Sequence, residues 1–437
     1  MSSSNRKGST PASYDRSLFL RWNRLQMNAM KELRLQDVPS MHNSPKITSQ
    51  SRLVVGAKSR IADAENSFRM ENDKEGAGTP EEFVEMSKVK EDDVKEAGNL
   101  GKVLPIVMDV RNGKSNPSEF FKQHRFDEEV NLKGWFLGPI TACEISSVFS
   151  SSSVVRLLLA NNSLGNEGGK AIAEGLEENF SVRELDLSEN MLGQNAVSSI
   201  AEMLNKNQTL EKLNLSRNNL TDPDVESLLN SLCGKTVLKE LDLSHNILCD
   251  QFAEQFSNVL MTNSVLEKIS ISSNQLEVTG LQAMLPGLRN AQTLCDLNIS
   301  WNYLYDVGAE ILGEAIADNR SLVEISACGN LFTTKAASFL AKGVANNPKL
   351  KVLRIGQNLI RNSGAYAFVN VLSENGSPST ALEILDINGT IVDRKFKQLV
   401  ETELSDKVCS LKVVNFSVVD EIGNEMEPYM EKSPNEN

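Results

Sequence analysis

The 437 residues carry 58 Asp and Glu against 45 Lys and Arg, a formal net charge of −13. That balance disfavours a nucleic-acid-binding role, which needs a basic face. Hydrophobic residues make up 40 % and aromatics only 5 %, so any core must be built from Leu, Ile, Val and Ala, and no apolar run of about 18 residues announces a membrane span.

The N-terminal stretch MSSSNRKGSTPAS lacks the apolar region of a signal peptide. Cys143, Cys233, Cys249, Cys295, Cys328 and Cys409 are scattered, with no C-x-x-C pair. They read as reduced thiols, mostly small core residues, in a chain bathed by cytosol.

Residues 1–100 read as a mostly disordered acidic extension. Over 62–97 there are twelve Asp or Glu and five Lys or Arg, with few large apolar residues, too little to bury for an ordered fold. Within this extension, Leu18, Trp22, Leu25, Ala29 and Leu33 recur at helical spacing and are ringed by Arg16, Arg21, Arg24, Lys31 and Arg34. That spacing predicts a basic amphipathic helix over 13–35 that docks on a partner, on an anionic surface or on its own protein. Residues 101–126 form a lead-in, where VLPIVMDV (103–110) suits a short strand. NGKS (112–115) is no phosphate-binding loop, because Met108 stands where that motif requires Gly.

From residue 127 the chain repeats itself. The template L-x-x-L-x-L-x-x-N-x-L starts at Val154, Val182, Leu210, Leu238, Leu266, Leu294, Leu322 and Leu350, each 28 residues after the last. A ninth copy starts at Leu382, 32 residues on, with Thr390 in place of Asn. VNLKGWFLG (130–138) matches the register of LLLANNSLG (157–165) with Trp135 for Asn, and LKVVNFSVV (411–419) reads as a degenerate last strand. Fixed-period similarity of this kind marks a stacked repeat array whose terminal copies diverge. The array runs over 127–419, about ten repeats, and 420–437 forms a disordered acidic tail.

Each copy opens with period-two alternation, a strand with Leu on one face. It continues with helical spacing, as in Val197, Ile200, Ala201 and Leu204, or Ala309, Ile311, Leu312 and Ala315. Parallel strands stack about 4.8 Å apart and helices about 10 Å apart, so strands inside and helices outside bend the stack into a horseshoe. The asparagines of slot nine (Asn162, Asn190, Asn218, Asn246, Asn274, Asn302, Asn330, Asn358) each offer a donor and an acceptor to the backbone of an irregular turn, so they read as a structural ladder. The N-x-S/T matches, including Asn214 and Asn298, fall out of the repeat grammar rather than marking glycosylation.

The 28-residue period, the x-L-x-L-S-x-N-x-L strands and the long helical halves resemble leucine-rich repeats of the ribonuclease-inhibitor-like subclass. That subclass includes ribonuclease inhibitor, the Ran GTPase-activating protein and the repeat domains of NOD-like receptors. The resemblance implies an α/β solenoid with a concave parallel sheet and convex helices; it says little about function.

Slots three, five, seven and eight are expected on the concave face. Slot three alternates in sign through Arg156, Glu184, Lys212, Glu240, Lys268 and Asp296. Slot five carries Asp186 and Asp242, and slot seven reads Ser188, Ser216, Ser244, Ser272 and Ser300, a low, wettable floor. A serine nucleophile needs a positioned base, and the pattern supplies none, so no catalytic residue is expected. Asp, His and Cys do not cluster at ligand spacing, so neither metal nor cofactor is expected. Slot eight varies most, through Glu189, Arg217, His245 and Trp301. Trp301 is either a binding anchor or a cover for Tyr303 or Tyr305. The leading expectation is a non-enzymatic cytoplasmic scaffold that binds a protein partner through Glu189, Arg217, His245, Trp301, Asp186 and Asp242. The alternatives are a GTPase-activating protein of the Ran-directed kind, implied by the resemblance, and a structural repeat protein of the cilium or flagellum.

Overall fold

Every repeat begins with a three-residue strand whose middle residue is the buried aliphatic of slot four. In chain order these strands are β1 (Glu129–Asn131), β2 (Arg156–Leu158), β3 (Glu184–Asp186), β4 (Lys212–Asn214), β5 (Glu240–Asp242), β6 (Lys268–Ser270), β7 (Asp296–Asn298), β8 (Glu324–Ser326), β9 (Val352–Arg354) and β10 (Ile384–Asp386). The structure, a computed structural model, describes residues 116–234, 236–374, 380–401 and 411–419. The chain divides into two units, Met1–Gly101 and Lys102–Asn437, and all described residues belong to the second. The basic helix of 13–35, the acidic extension, the strand at 103–110 and the tail from 420 lie outside the described residues.

Strands β1 to β10, followed by β12 (Lys412–Val414), form one parallel sheet of eleven strands in sequence order. Register is identical at each step: Leu157 faces Leu185, Leu185 faces Leu213, and so on to Leu385 beside Val413. One register throughout is what the fixed 28-residue period demands, since a one-residue slip would turn every Leu out of the core.

The return half of each repeat is helical. The helices are α1 (Pro117–His124), α2 (Gly138–Ser146), α3 (Gly165–Leu176), α4 (Gln194–Lys206), α5 (Asp222–Leu232), α6 (Asp250–Thr262), α7 (Val278–Asn290), α8 (Tyr305–Asp318), α9 (Thr334–Ala345), α10 (Asn362–Glu374) and α11 (Arg394–Leu399). In α4, Val197, Ile200, Ala201 and Leu204 are buried, and in α8 so are Ala309, Ile311, Leu312 and Ala315, the faces that the helical spacing marks. Each fully buried Leu or Ile contributes roughly 1.5–3 kcal/mol relative to exposure. The strand and helix aliphatics form one continuous core along the stack. Helix starts are stitched to the previous repeat: Asp222, Asp250 and Asp306 accept the N–H groups of Cys249 (2.7 Å), Glu277 (3.0 Å) and Thr333 (2.7 Å).

Two asparagine ladders run through the stack. The slot-nine side chain of Asn218 donates to the carbonyls of Leu187 and Leu215, both at 3.0 Å, and its oxygen accepts from the N–H of Asn190 (2.9 Å) and Leu192 (3.1 Å). The second ladder, absent from the sequence reading, stands where five of the helices end: Asn179, Asn207, Asn263, Asn319 and Asn347. Asn207 donates to the carbonyls of Leu176 (2.8 Å) and Asn179 (3.0 Å) and accepts from the N–H of Leu210 (2.8 Å).

Both ends of the stack depart from the grammar. Trp135 and Thr390 replace the slot-nine Asn; both are buried, and the Trp135 indole nitrogen and Thr390 hydroxyl have no hydrogen-bond partner among the described residues. The degenerate stretch 411–419 yields two short strands rather than one. Its second, β13 (Ser417–Val419), pairs with β11 (Ile391–Asp393) in a separate two-stranded sheet. An aromatic plug closes this end, with Phe396 edge-on to Tyr366 (5.2 Å) and to Phe416 (5.7 Å). Among the described residues no helix is long and apolar enough to cross a membrane.

Candidate partner-binding face

The polar side chains of slots three and five stand on the sheet face away from the helices. They line a depression of about 400 Å³ that takes residues from six successive strands, β3 to β8. Strands stack more closely than the helices behind them, so the sheet curves toward its strand side and this face is the concave one. The lining comprises Glu184, Asp186, Lys212, Asn214, Glu240, Asp242, Lys268, Ser270, Asp296, Asn298, Glu324 and Ser326 with the strand backbones beneath them.

The alternation of sign in slot three is used only in part. Glu240 sits between Lys212 (3.1 Å) and Lys268 (3.6 Å). Arg156 turns away from Glu184 to Glu129 of β1, at 2.9 Å. Glu324 pairs with Arg354 from slot five. Glu184 and Asp296 make no ion pair among the described residues. Burial pushes the Asp296 carboxyl above the usual carboxylate range, against the pull of Lys268 and Arg354.

Asp186 and Asp242 lie in this depression and also hold the backbone. Their Oδ1 atoms accept the N–H of Ser188 (2.9 Å) and Ser244 (2.8 Å), as Asn214 and Asn298 do for Ser216 and Ser300. Each is an Asx turn that ends the strand. The serines of slot seven are not the wettable floor expected from their alternation. Ser188, Ser216, Ser244, Ser272 and Ser300 are all buried, between 6 and 9 % exposed, because the chain has already left the strand plane by slot seven. The floor belongs to slots three to five.

Slot eight forms a separate row beside the depression, and its backbone explains its place. Asn161, Glu189, Arg217, His245, Ser273, Trp301, Gly329, Gln357 and Gly389 all have φ between +53° and +76°. From Asn161 to Gln357 this left-handed turn aims each N–H at the slot-seven carbonyl of the next repeat, as Glu189 to Ser216 (3.0 Å), Arg217 to Ser244 (3.0 Å) and His245 to Ser272 (2.8 Å). A non-glycine residue here costs about 1–2 kcal/mol, which the inter-repeat bonds offset. Asn161, Gly329 and Gly389, residue types that tolerate this region, were the signal in the sequence.

The left-handed turn lays slot-eight side chains along the stack, and Glu189, Arg217 and His245 meet. Arg217 Nε lies 3.8 Å from Glu189 Oε1, and its Nη2 lies 3.3 Å from His245 Nε2. Burial, and then the Arg217 charge, lower the His245 pKa, with Asp242 and Glu189 opposing; the imidazole is held neutral. Trp301 is not joined to this trio, since Ser273 intervenes. Its indole lies over Gly329 of the next repeat, where a Cβ would stand 2.5 Å from Cε3. It thus covers the next slot eight and remains half-buried.

The described cysteines are free thiols, and burial pushes the Cys328 thiol up to about 11. Among the described residues no group of three His, Cys, Asp or Glu is placed to hold a metal ion.

A family model described as Leucine Rich repeat matches residues 150–173 and 206–229. No curated protein matches the chain. Among solved structures, an internalin of Listeria monocytogenes aligns with 72 % of this chain and 90 % of its own at 17 % identity and a TM-score of 0.39. The actin-binding site 2 of leiomodin-1 aligns with 39 % of this chain and 87 % of its own at 18 % identity and a TM-score of 0.26. Two segments of the chain, 150–173 and 206–229, thus match leucine-rich repeats, and the single strand register that they share runs through the whole stack, with the 28-residue period from Val154 to Leu350.

Proposed function

We propose that this chain is a non-enzymatic cytoplasmic scaffold that holds a protein partner on the concave side of its repeats, with the cilium or flagellum as the alternative compartment. The observation that carries this reading is the slot-eight row beside the depression: Arg217 between Glu189 and His245, then Trp301 over Gly329. Arg and Trp are the residues that most often dominate binding energy, above all when preorganised. Here the arginine is flanked by Glu189 and His245 and the indole lies over the glycine, so part of the side-chain entropy is lost before association. Asp186 and Asp242 extend the same surface onto the floor.

The test is affinity capture from cells with the full chain and with Arg217→Ala, His245→Ala and Trp301→Ala combined. The reading expects the triple variant to fold and lose its partners; unchanged capture rejects it. The GTPase-activating alternative predicts faster GTP hydrolysis by Ran in a purified mixture, an assay on which a scaffold has no effect.

A further inference from the structure

We infer that the floor of the concave face receives a polypeptide segment carrying Lys or Arg side chains, held by Glu184, Asp186, Asp242 and Asp296. The inference rests on the scaffold reading and adds the chemistry of what is held.

Three observations lead there. The first is shape: the depression of about 400 Å³ runs across six strands, long enough for several side chains of one segment and open along its length. The second is sign. Its lining carries six carboxylates, on Glu184, Asp186, Glu240, Asp242, Asp296 and Glu324, and two ammonium groups, on Lys212 and Lys268. Both ammonium groups are already directed at Glu240, and Arg354 is taken by Glu324. Glu184 and Asp296 have no ion pair among the described residues, so the face is left with uncompensated negative charge on β3, β5 and β7. The third is texture: no aromatic side chain stands in the lining, and its aliphatics are the strand residues Leu185, Leu213, Leu241 and Ile269, buried beneath the polar side chains. An apolar partner surface would gain little area here and would strip water from the carboxylates without replacing it. A cationic segment replaces that water with charge-assisted hydrogen bonds, and the same sign repels nucleic acid. The four carboxylates Glu184, Asp186, Asp242 and Asp296 fall on alternate strands, about 10 Å apart, a spacing matched by residues i and i+7 of a helix, about 10.5 Å apart.

The test uses the purified full chain near 0.15 M salt, where the screening length is about 8 Å. Two fluorescein-labelled 15-residue peptides serve as probes: one with Lys at every third or fourth position between Ala and Gln, and the same peptide with Glu for Lys. The floor variant combines E184Q, D186N, D242N and D296N. Asn keeps the Asx turns, as Asn214 and Asn298 already show. The control removes the same charge from exposed helix positions with E202Q, E226Q, E254Q and E310Q. The Lys peptide should bind and the Glu peptide should not. The floor variant should weaken Lys-peptide binding at least about tenfold, and the control less than about twofold. Equal losses in both variants would reduce the effect to net charge and overturn the inference, as would failure of the Lys peptide to bind. If the floor variant keeps Lys-peptide binding while the Arg217/His245/Trp301 variant still loses its cellular partners, this inference falls and the scaffold reading stands. If that triple variant loses nothing, the scaffold reading itself falls.

Discussion

The indole of Trp301 occupies the space that any side chain at Gly329 would need: a Cβ there would stand 2.5 Å from Cε3 and 2.6 Å from Cδ2. The two positions are the same slot in successive repeats, so the size of one residue dictates the absence of a side chain in the next. Gly329 also sits at φ +64°, where alanine costs about 1–2 kcal/mol by itself. Gly329→Ala should therefore destabilise the array by more than that figure and push the indole outward. Chemical denaturation measures the first effect, and a red shift of Trp301 emission in a chain with Trp22→Phe and Trp135→Phe reports the second. An unshifted spectrum would show that the glycine does not position the ring.

The inner asparagine ladder should carry more stability than any exposed asparagine. Asn218→Ala leaves the carbonyl of Leu187 and the N–H groups of Asn190 and Leu192 without their side-chain partner in a buried turn, while the Leu215 carbonyl keeps Asn246 at 3.2 Å. With each orphaned buried group costing about 1–3 kcal/mol and partial relaxation expected, a loss of about 3–5 kcal/mol follows. Its neighbour Asn219 is exposed at φ +59°, and Asn219→Ala should cost only about 1–2 kcal/mol through its backbone. Urea denaturation of the pair compares them directly, and equal losses would deny the ladder its structural weight.

Much of this architecture is legible in the sequence, because burial dictates residue type. Slots four, six and eleven face the core and admit apolar residues, nearly all aliphatic, so Leu185, Leu187 and Leu192 announce the strand and its register. The functional face is less legible, because there the backbone makes the demand and the side chain does not record it. At slot eight the chain requires a left-handed turn, yet Glu189, Arg217, His245 and Trp301 accept its cost, so nothing in their chemistry gives it away. Slot seven misleads for the opposite reason: serine after a strand residue reads as the next outward position, but Asp186 and Asp242 have already turned the chain and buried Ser188 and Ser244. The contact of Arg217 with His245 follows from adjacent slot-eight positions; the seat of Trp301 on Gly329 required seeing that a glycine was there to make room. The outer ladder of Asn179, Asn207, Asn263, Asn319 and Asn347 obeys the repeat spacing too, and lay outside the eleven-residue template.

Among its described stations that outer ladder has a gap at Ala291, and filling it should stabilise the fold. Ala291 ends α7 with φ −56° and ψ 131°, close to Asn207 (−67°, 134°) and Asn319 (−69°, 146°) at the same station. A void of about 10 Å³ lies beside it, lined by Leu260, Asn263, Thr293 and Leu294 among others. Ala291→Asn would present a donor toward the Leu260 carbonyl and an acceptor to the N–H groups of Thr293 and Leu294, as Asn319 does for Leu288, Ser321 and Leu322. The expected gain is about 1–2 kcal/mol, read as a higher denaturation midpoint. A lower midpoint would mean that the void is too small for the amide.

His245 should make stability depend on pH just below neutrality. Its folded pKa lies below the ordinary imidazole value of 6.5, first because burial disfavours the imidazolium and then because Arg217 repels it. Below about pH 6.5 the unfolded chain therefore binds this proton more readily than the folded chain does, and stability rises with pH across that window. At pH 7.5 the imidazole is neutral in both states and the term vanishes. As pH falls from 6.5 toward the lower folded pKa the term grows, and below that pKa it levels off. Melting curves at pH 7.5, 6.5 and 5.5 should thus show a steeper loss in the native chain than in His245→Gln, with Arg217→Ala in between, because it removes the second cause and leaves the first. Parallel curves for all three proteins would place the imidazole in an environment no different from water.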